Sequence, residues 1–97
     1  EEVVFNCAGY GARALFSDMS LKPVRGQITL LEGQPEIDYG YVYESPTGLL
    51  YMFPRENAIA LGGSMGWGET SLAADEDERR RVIEGHARIA ARLARHP

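Results

Sequence analysis

The residues of this chain whose types and spacing suit chemistry begin at a glycine turn. Val3-Val4-Phe5-Asn6-Cys7-Ala8-Gly9-Tyr10-Gly11-Ala12-Arg13-Ala14 reads as a buried strand that enters Gly-x-Gly-x-x-Ala and then a helix. Glycines at that spacing let the backbone approach a pyrophosphate, whose charge rests on the amides of a helix N-terminus. Glu32 stands about 20 residues further on, where a ribose-binding acid would sit. Two features oppose a self-sufficient dinucleotide site. The helix candidate Ala12–Phe16 is interrupted by Ser17-Asp18 and Pro23, whereas a crossover needs about 10 residues or more. After Glu32 the chain gives a run of hairpin signals, not a second helix and parallel strand. The turn stays open between a nicotinamide-binding half-domain, a plain strand–turn–helix junction and a secondary cofactor contact.

Other reactive side chains have plainer readings. Cys7 is the sole cysteine, so it closes no intrachain disulfide, which suits a reducing cytoplasm. Beside a glycine turn it reads as a small buried hydrophobe before a nucleophile. His86 and His96 lack any paired spacing, so no metal site is expected. His86 falls on an apolar helical stripe and reads as a half-buried core histidine. Leu61-Gly62-Gly63-Ser64-Met65-Gly66-Trp67-Gly68 lacks the Gly-Lys-Ser/Thr ending of a phosphate loop. It reads as a chain reversal with close backbone packing.

The elements that must position these residues are short strands and one long helix. Val3–Ala8 is apolar enough for a strand buried on both faces, as in a parallel sheet. Gln27–Glu32 is a second strand. Tyr39, Tyr41 and Tyr43 alternate with Gly40 and Val42, which places three rings on one face of a strand. Ser45-Pro46-Thr47-Gly48 has proline and glycine where a type I turn wants them. Leu49–Phe53 returns, with Leu49, Tyr51 and Phe53 on one face and Leu50 and Met52 on the other. After a turn at Pro54–Asn57, which holds Arg55, Ala58–Leu61 is a further strand. Consecutive short strands with tight turns make an antiparallel meander.

Asp75–Arg95 is the long helix. Asp75 with Glu78 forms an Asp-led capping box, and Glu76 and Asp77 complement the helix dipole. Val82, His86, Ile89, Ala90 and Leu93 form the apolar stripe, and Arg79-Arg80-Arg81 a solvated face. The fold class is therefore α+β: a strand–turn–helix lead-in, an antiparallel meander and one long C-terminal helix.

Composition sets the outer bounds. Of 97 residues, 44% are hydrophobic and 25% charged, so the chain is an ordinary globular one and not disordered. Residues 1–74 hold four basic and nine acidic groups (−5) and residues 75–97 six and five (+1), for a net −4. That balance disfavours a nucleic-acid partner. No apolar run is long enough for a membrane span, and no signal peptide opens the chain. The chain begins at Glu1 within an apolar run and ends at His96-Pro97 directly after a helix, so it is read as a piece of something longer.

With these residues in view, the chain resembles the middle of an FAD-dependent oxidoreductase of the D-amino acid oxidase family. The motifs that carry the resemblance are Val4-Phe5-Asn6-Cys7-Ala8-Gly9, Pro23-Val24-Arg25-Gly26-Gln27, Tyr51-Met52-Phe53-Pro54 and Leu61-Gly62-Gly63. Trp67 and the acidic-led helix with Glu84-Gly85 come next in the same order, across nearly the whole chain. The resemblance implies FAD as cofactor, with its main Gly-x-Gly-x-x-Gly unit before Glu1. It implies that Cys7, Ala8 and Gly9 touch FAD mainly through backbone; some relatives carry Thr where Ala8 stands. Residues 1–23 would end the FAD-binding domain, and residues 24–97 would form part of the substrate-binding domain. Tyr51 matches a tyrosine whose hydroxyl helps bind the substrate carboxylate, and Tyr43 is a stand-in for a second, lid-like tyrosine. No catalytic residue is expected within the chain, and the carboxylate-binding arginine would lie beyond Pro97. The implied activity of the parent is hydride transfer from the Cα of an amino acid or amine to flavin. Alone, this chain would be inactive. A stand-alone α+β binding module, using Tyr39, Tyr41 and Tyr43 as its contact patch, is the alternative. Loss of neighbours beside Val3–Ala8 would favour self-association.

Overall fold

The computed structural model describes residues 2–96. The readings of Glu1 and Pro97 as cut ends fall outside them. The centre of the molecule is a four-stranded antiparallel sheet in the order β2-β5-β4-β3, built from β2 (Thr29–Glu32), β3 (Tyr41–Ser45), β4 (Gly48–Pro54) and β5 (Ala58–Gly62). Pro46 and Thr47 form the β3–β4 turn. Ser45 Oγ accepts from Thr47 N at 3.2 Å and donates to the Gly48 carbonyl at 2.6 Å. Gly48 then takes φ +121°, a conformation open to glycine. β1 (Val24–Arg25) and β6 (Gly66–Trp67) make a separate two-stranded ribbon.

The alternation along β4 sorts its two faces as its sequence requires. Leu50 and Met52 point toward helix α2 (Glu76–Arg95) and join Ile59, Leu61 and Val82 in the core. Leu50 is 1% exposed. It gets that close because Gly85 of α2 has no side chain: a Cβ there would stand 2.6 Å from Leu50 Cδ1. Burying such a side chain stabilises by about 1.5–3 kcal/mol, more than a mid-helix glycine costs, about 0.5–1 kcal/mol.

Asp75 caps α2, its carboxylate accepting from Glu78 N at 3.0 Å. The expected capping box is only half made. Asp75 N donates to Gln27 Oε1 at 2.8 Å, and the Glu78 carboxylate is taken by Arg81 instead. The same Gln27 gives its backbone amide to Ser64 Oγ, so strand pairing begins at Thr29 and not at Gln27.

Four expectations are corrected. Val3–Ala8 is extended chain with no strand partner among the described residues, and Val3, Val4 and Phe5 are 67%, 79% and 85% exposed. Its apolarity suits a strand, but a strand exists only beside another, so the strand–turn–helix of a nicotinamide half-domain is not formed. Cys7, likewise, is exposed and not buried. Arg79 and Arg80 do form solvated pairs with Glu76 and Asp77. Arg81 does not: it is half-buried, paired with Glu78, and donates to the Thr47 and Gly63 carbonyls. On the helix stripe Val82 and His86 are buried, while Ala90 and Leu93 are exposed. There the last turns of α2 stand off from β3, leaving a groove of about 1000 Å³ edged by Tyr39, Tyr43, Ile89 and Leu93.

Candidate functional site

Antiparallel register fixes which side chains share the face of the sheet turned away from α2. Val42, Tyr51 and Gly62 lie in one cross-strand row, and Phe53, Ala60 and Leu30 in the next. Val42, Leu30 and Phe53 are 63%, 65% and 43% exposed, so this face is open and apolar. Tyr51 is its polar handle. Its ring stacks at a tilt on Phe53, centroids 5.5 Å apart, and lies over Gly62 in the space a Cβ would need. Phe53 and the missing Gly62 side chain therefore hold the ring on a rigid strand with little rotamer freedom.

The tyrosine hydroxyls engaged among the described residues are those of Tyr10, on Arg13 at 2.9 Å, and Tyr41, on His86 Nδ1 at 2.5 Å. The Tyr51 hydroxyl is left to donate to something else. Among the described residues, the charged strand positions of this face are Glu44 and Glu32, both acidic. Arg55 is exposed and sits in the β4–β5 turn, where its backbone amide donates to the Ala58 carbonyl at 2.7 Å.

Tyr41 and Tyr43 point to the opposite, α2-facing side, and Tyr39 precedes the strand. The three tyrosines all line the groove beside α2, but Tyr41 is tied down within it by its hydrogen bond to His86. Tyr41 belongs to the packing around the core, and burial raises its pKa above the usual tyrosine value, with Tyr39 nearby adding to this. Tyr43 lines the groove beside α2, not the Tyr51 face.

The glycine turn is a separate surface. Cys7, Ala8 and Gly9 are exposed. Asn6 Oδ1 accepts from Ala8 N at 3.0 Å, and the Ala8 carbonyl accepts from Gly11 N at 3.0 Å, starting a 3-10 turn at Gly9–Gly11 that leads into α1 (Ala12–Leu15). Gly9 takes φ +55°, and nothing lies within 4 Å of where its Cβ, or that of Gly11, would be. A flat group could therefore approach this backbone without displacing a side chain, which is the fit that a backbone-bound cofactor needs. The cavity beside Gly9 is lined by its near neighbours, Asn6, Ala12, Phe16, Asp18 and Leu21. The turn and Tyr51 are not brought together.

Sequence reasoning missed the buried pair behind the site. His86 is 6% exposed, with Tyr41 on Nδ1 and its ring tilted 45° to the tyrosine at 5.5 Å. Burial lowers the His86 pKa, the Gly62 backbone partly offsets this, and the charge of Arg81 lowers it further. His86 Nε2 is buried with no hydrogen-bond partner among the described residues. No sequence spacing links Tyr41 to His86, and the position of Arg81 in an arginine run hides its role. Among the described residues no cluster of three His, Cys, Asp or Glu could hold a metal ion. No described helix is long and apolar enough to cross a membrane.

Residues 1–96 match the family model of FAD-dependent oxidoreductases. The chain is 30% identical to a D-aspartate oxidase of Homo sapiens over 82 residues, covering 84% of this chain and 23% of that protein. It is 33% identical to a D-amino-acid oxidase of Rubrobacter xylanophilus over 92 residues (95% and 28%). To a D-amino acid oxidase of Dugesia ryukyuensis it is 31% identical over 84 residues (86% and 24%). The chain thus spans about a quarter of the length of these curated relatives. No solved structure matches it.

Proposed function

The chain belongs to the family of FAD-dependent oxidoreductases, and on that premise we propose that it forms the substrate-side sheet of a D-amino acid oxidase. In this reading residues 1–23 end the FAD-binding domain and residues 24–97 belong to the substrate-binding domain. FAD, when bound, supplies the acceptor for a hydride from the substrate Cα. This chain's own residues bind and align. Tyr51 donates its hydroxyl hydrogen to the substrate carboxylate. Leu30, Val42 and Phe53 surround it with apolar surface, and water displaced from there when substrate and the rest of the protein cover the face strengthens that hydrogen bond. Cys7, Ala8 and Gly9 offer backbone to the cofactor, and Gly9 supplies the turn that exposes it.

The observation that carries this reading is the seat of the Tyr51 hydroxyl: fixed on a strand over Gly62, on an open apolar face, with no hydrogen-bond partner among the described residues. Without the main FAD unit and a carboxylate-binding cation, the 97-residue chain alone would not turn over substrate. The test uses the full-length protein with FAD, without oxygen, against D-amino acids, L-amino acids and N-methylglycine. Flavin bands near about 450 nm should bleach with D-amino acids. Tyr51→Phe should raise KM about 10- to 150-fold with a smaller change in kcat, as expected for one lost hydrogen bond to a charged group. A protein that takes up no FAD, or one bleached only by a different substrate class, would overturn the proposal.

A further inference from the structure

We propose that Glu44 selects the substrate side chain, favouring D-amino acids that end in a cation, such as D-arginine and D-lysine, over neutral or acidic ones; the inference rests on the Tyr51 reading above. Strand register places the carboxylate. Val42 pairs with Tyr51, and Glu44 pairs with Leu49 in a row nearer the β3–β4 turn. Alternation brings Glu44 back to the Tyr51 face, one strand over and about 7 Å along from the Tyr51 row.

Tyr51 leans the other way. Its ring covers Gly62 on β5, so its hydroxyl and the Glu44 carboxylate lie on opposite sides of β4. The strands β3 and β5 are two spacings apart, about 10 Å. A substrate whose carboxylate takes the Tyr51 hydroxyl must therefore cross β4 to meet Glu44. The methyl group of D-alanine stops short of it. The long chain of lysine or arginine carries its charge further, and its aliphatic stem has Val42, 63% exposed, to lie against.

Nothing else among the described residues claims Glu44. It is exposed and forms no ion pair with them. Its neighbours on this face are Val42, Leu49 and Tyr51, none of them a cation. Arg81 reaches the same turn from the α2 side, where Glu78 already pairs with it. The other acid of the face, Glu32, pairs with Ala58 beyond the row of Leu30, Ala60 and Phe53. A lone carboxylate beside apolar surface attracts a cation more strongly as water is displaced, and repels a second carboxylate. Glu44 thus discriminates between side chains, while Tyr51 serves them all.

The experiment uses the FAD-loaded full-length protein and two pairs of near-isosteric substrates: D-arginine with D-citrulline, and D-glutamate with D-glutamine. In the wild type kcat/KM for D-arginine should exceed that for D-citrulline about 5-fold, and the preference should shrink as salt is added. Glu44→Gln should abolish it, and Glu44→Lys should favour D-glutamate over D-glutamine. Glu32→Gln should keep the wild-type preference. The same ratio in wild type and Glu44→Gln, or an equal fall in Glu32→Gln, would overturn the proposal. A second readout needs no turnover: calorimetric titration with δ-guanidinovalerate and δ-ureidovalerate, which keep the carboxylate and the side chain but lack the α-amine. The guanidino compound should bind about 5-fold tighter to the wild type and no tighter to Glu44→Gln. Equal binding of the two to the wild type would also overturn the proposal. Tyr51→Phe should weaken both ligands alike. Unchanged binding of both in Tyr51→Phe, with the preference for the guanidino compound intact, would instead overturn the Tyr51 ligand reading.

Discussion

At the scale of single residues, the glycines at the end of β5 matter more than any charged group. Gly63 takes φ +127°, and a Cβ added there would sit on the Leu49 carbonyl, which is backbone and cannot rotate away. Gly63→Ala should therefore lower stability by about 3 kcal/mol or more, read as a fall in the urea midpoint at constant slope. Gly11 is the contrast. Its φ is −59° with open space around it, so Gly11→Ala should stay within about 0.5 kcal/mol of wild type. The run Leu61–Gly68 is legible from sequence as a reversal with close packing, because glycines cluster where backbones approach. What they approach is not legible. Tyr51 over Gly62 and Tyr41 on His86 join residues remote in sequence, and no local pattern reports that. Tyr51 as a ligand comes from resemblance, and the structure adds its free hydroxyl and rigid seat.

At the scale of elements, α2 and the three meander strands can be read from sequence almost to their ends. Their signals are local: a capping aspartate, a helical period, alternation and turn residues. The β1–β6 ribbon escapes such a reading because two-residue strands carry no period. Val3–Ala8 misleads for the converse reason, since composition reports apolarity and not the presence of a partner. The half-made capping box shows competition for one acid: Glu78 is worth more to Arg81, which crosslinks α2 to the β3–β4 turn and to Gly63. Asp75 is left to cap the helix start with its side chain. Asp75→Ala should cost about 1 kcal/mol from the cap, with little from its partly exposed pair with Arg25 at 3.5 Å. Thermal unfolding followed by circular dichroism would measure it.

At the scale of the whole molecule, the chain is elongated, 54 × 31 × 21 Å, with one face of its sheet bare. Leu30, Val42 and Phe53 on that face, and Val3, Val4 and Phe5 near the N-terminal end, leave large apolar side chains in water, the kind of surface that draws a second molecule. The 97-residue chain by itself should self-associate in sedimentation experiments at tens of micromolar, and Leu30→Lys with Val42→Lys should reduce this without altering helix content. A monodisperse monomer would contradict that expectation. The strand order has a kinetic meaning as well. β3 and β4 meet across a two-residue turn and β4 and β5 across three residues, and only then do β2 and finally β1 find their partners. Each closure shortens the loop left for the next, so the entropy of bringing distant segments together is met in small steps. The hairpin bearing Tyr51 is on this account the first part to form during folding, and the β1–β6 clasp the last to close and the first to open.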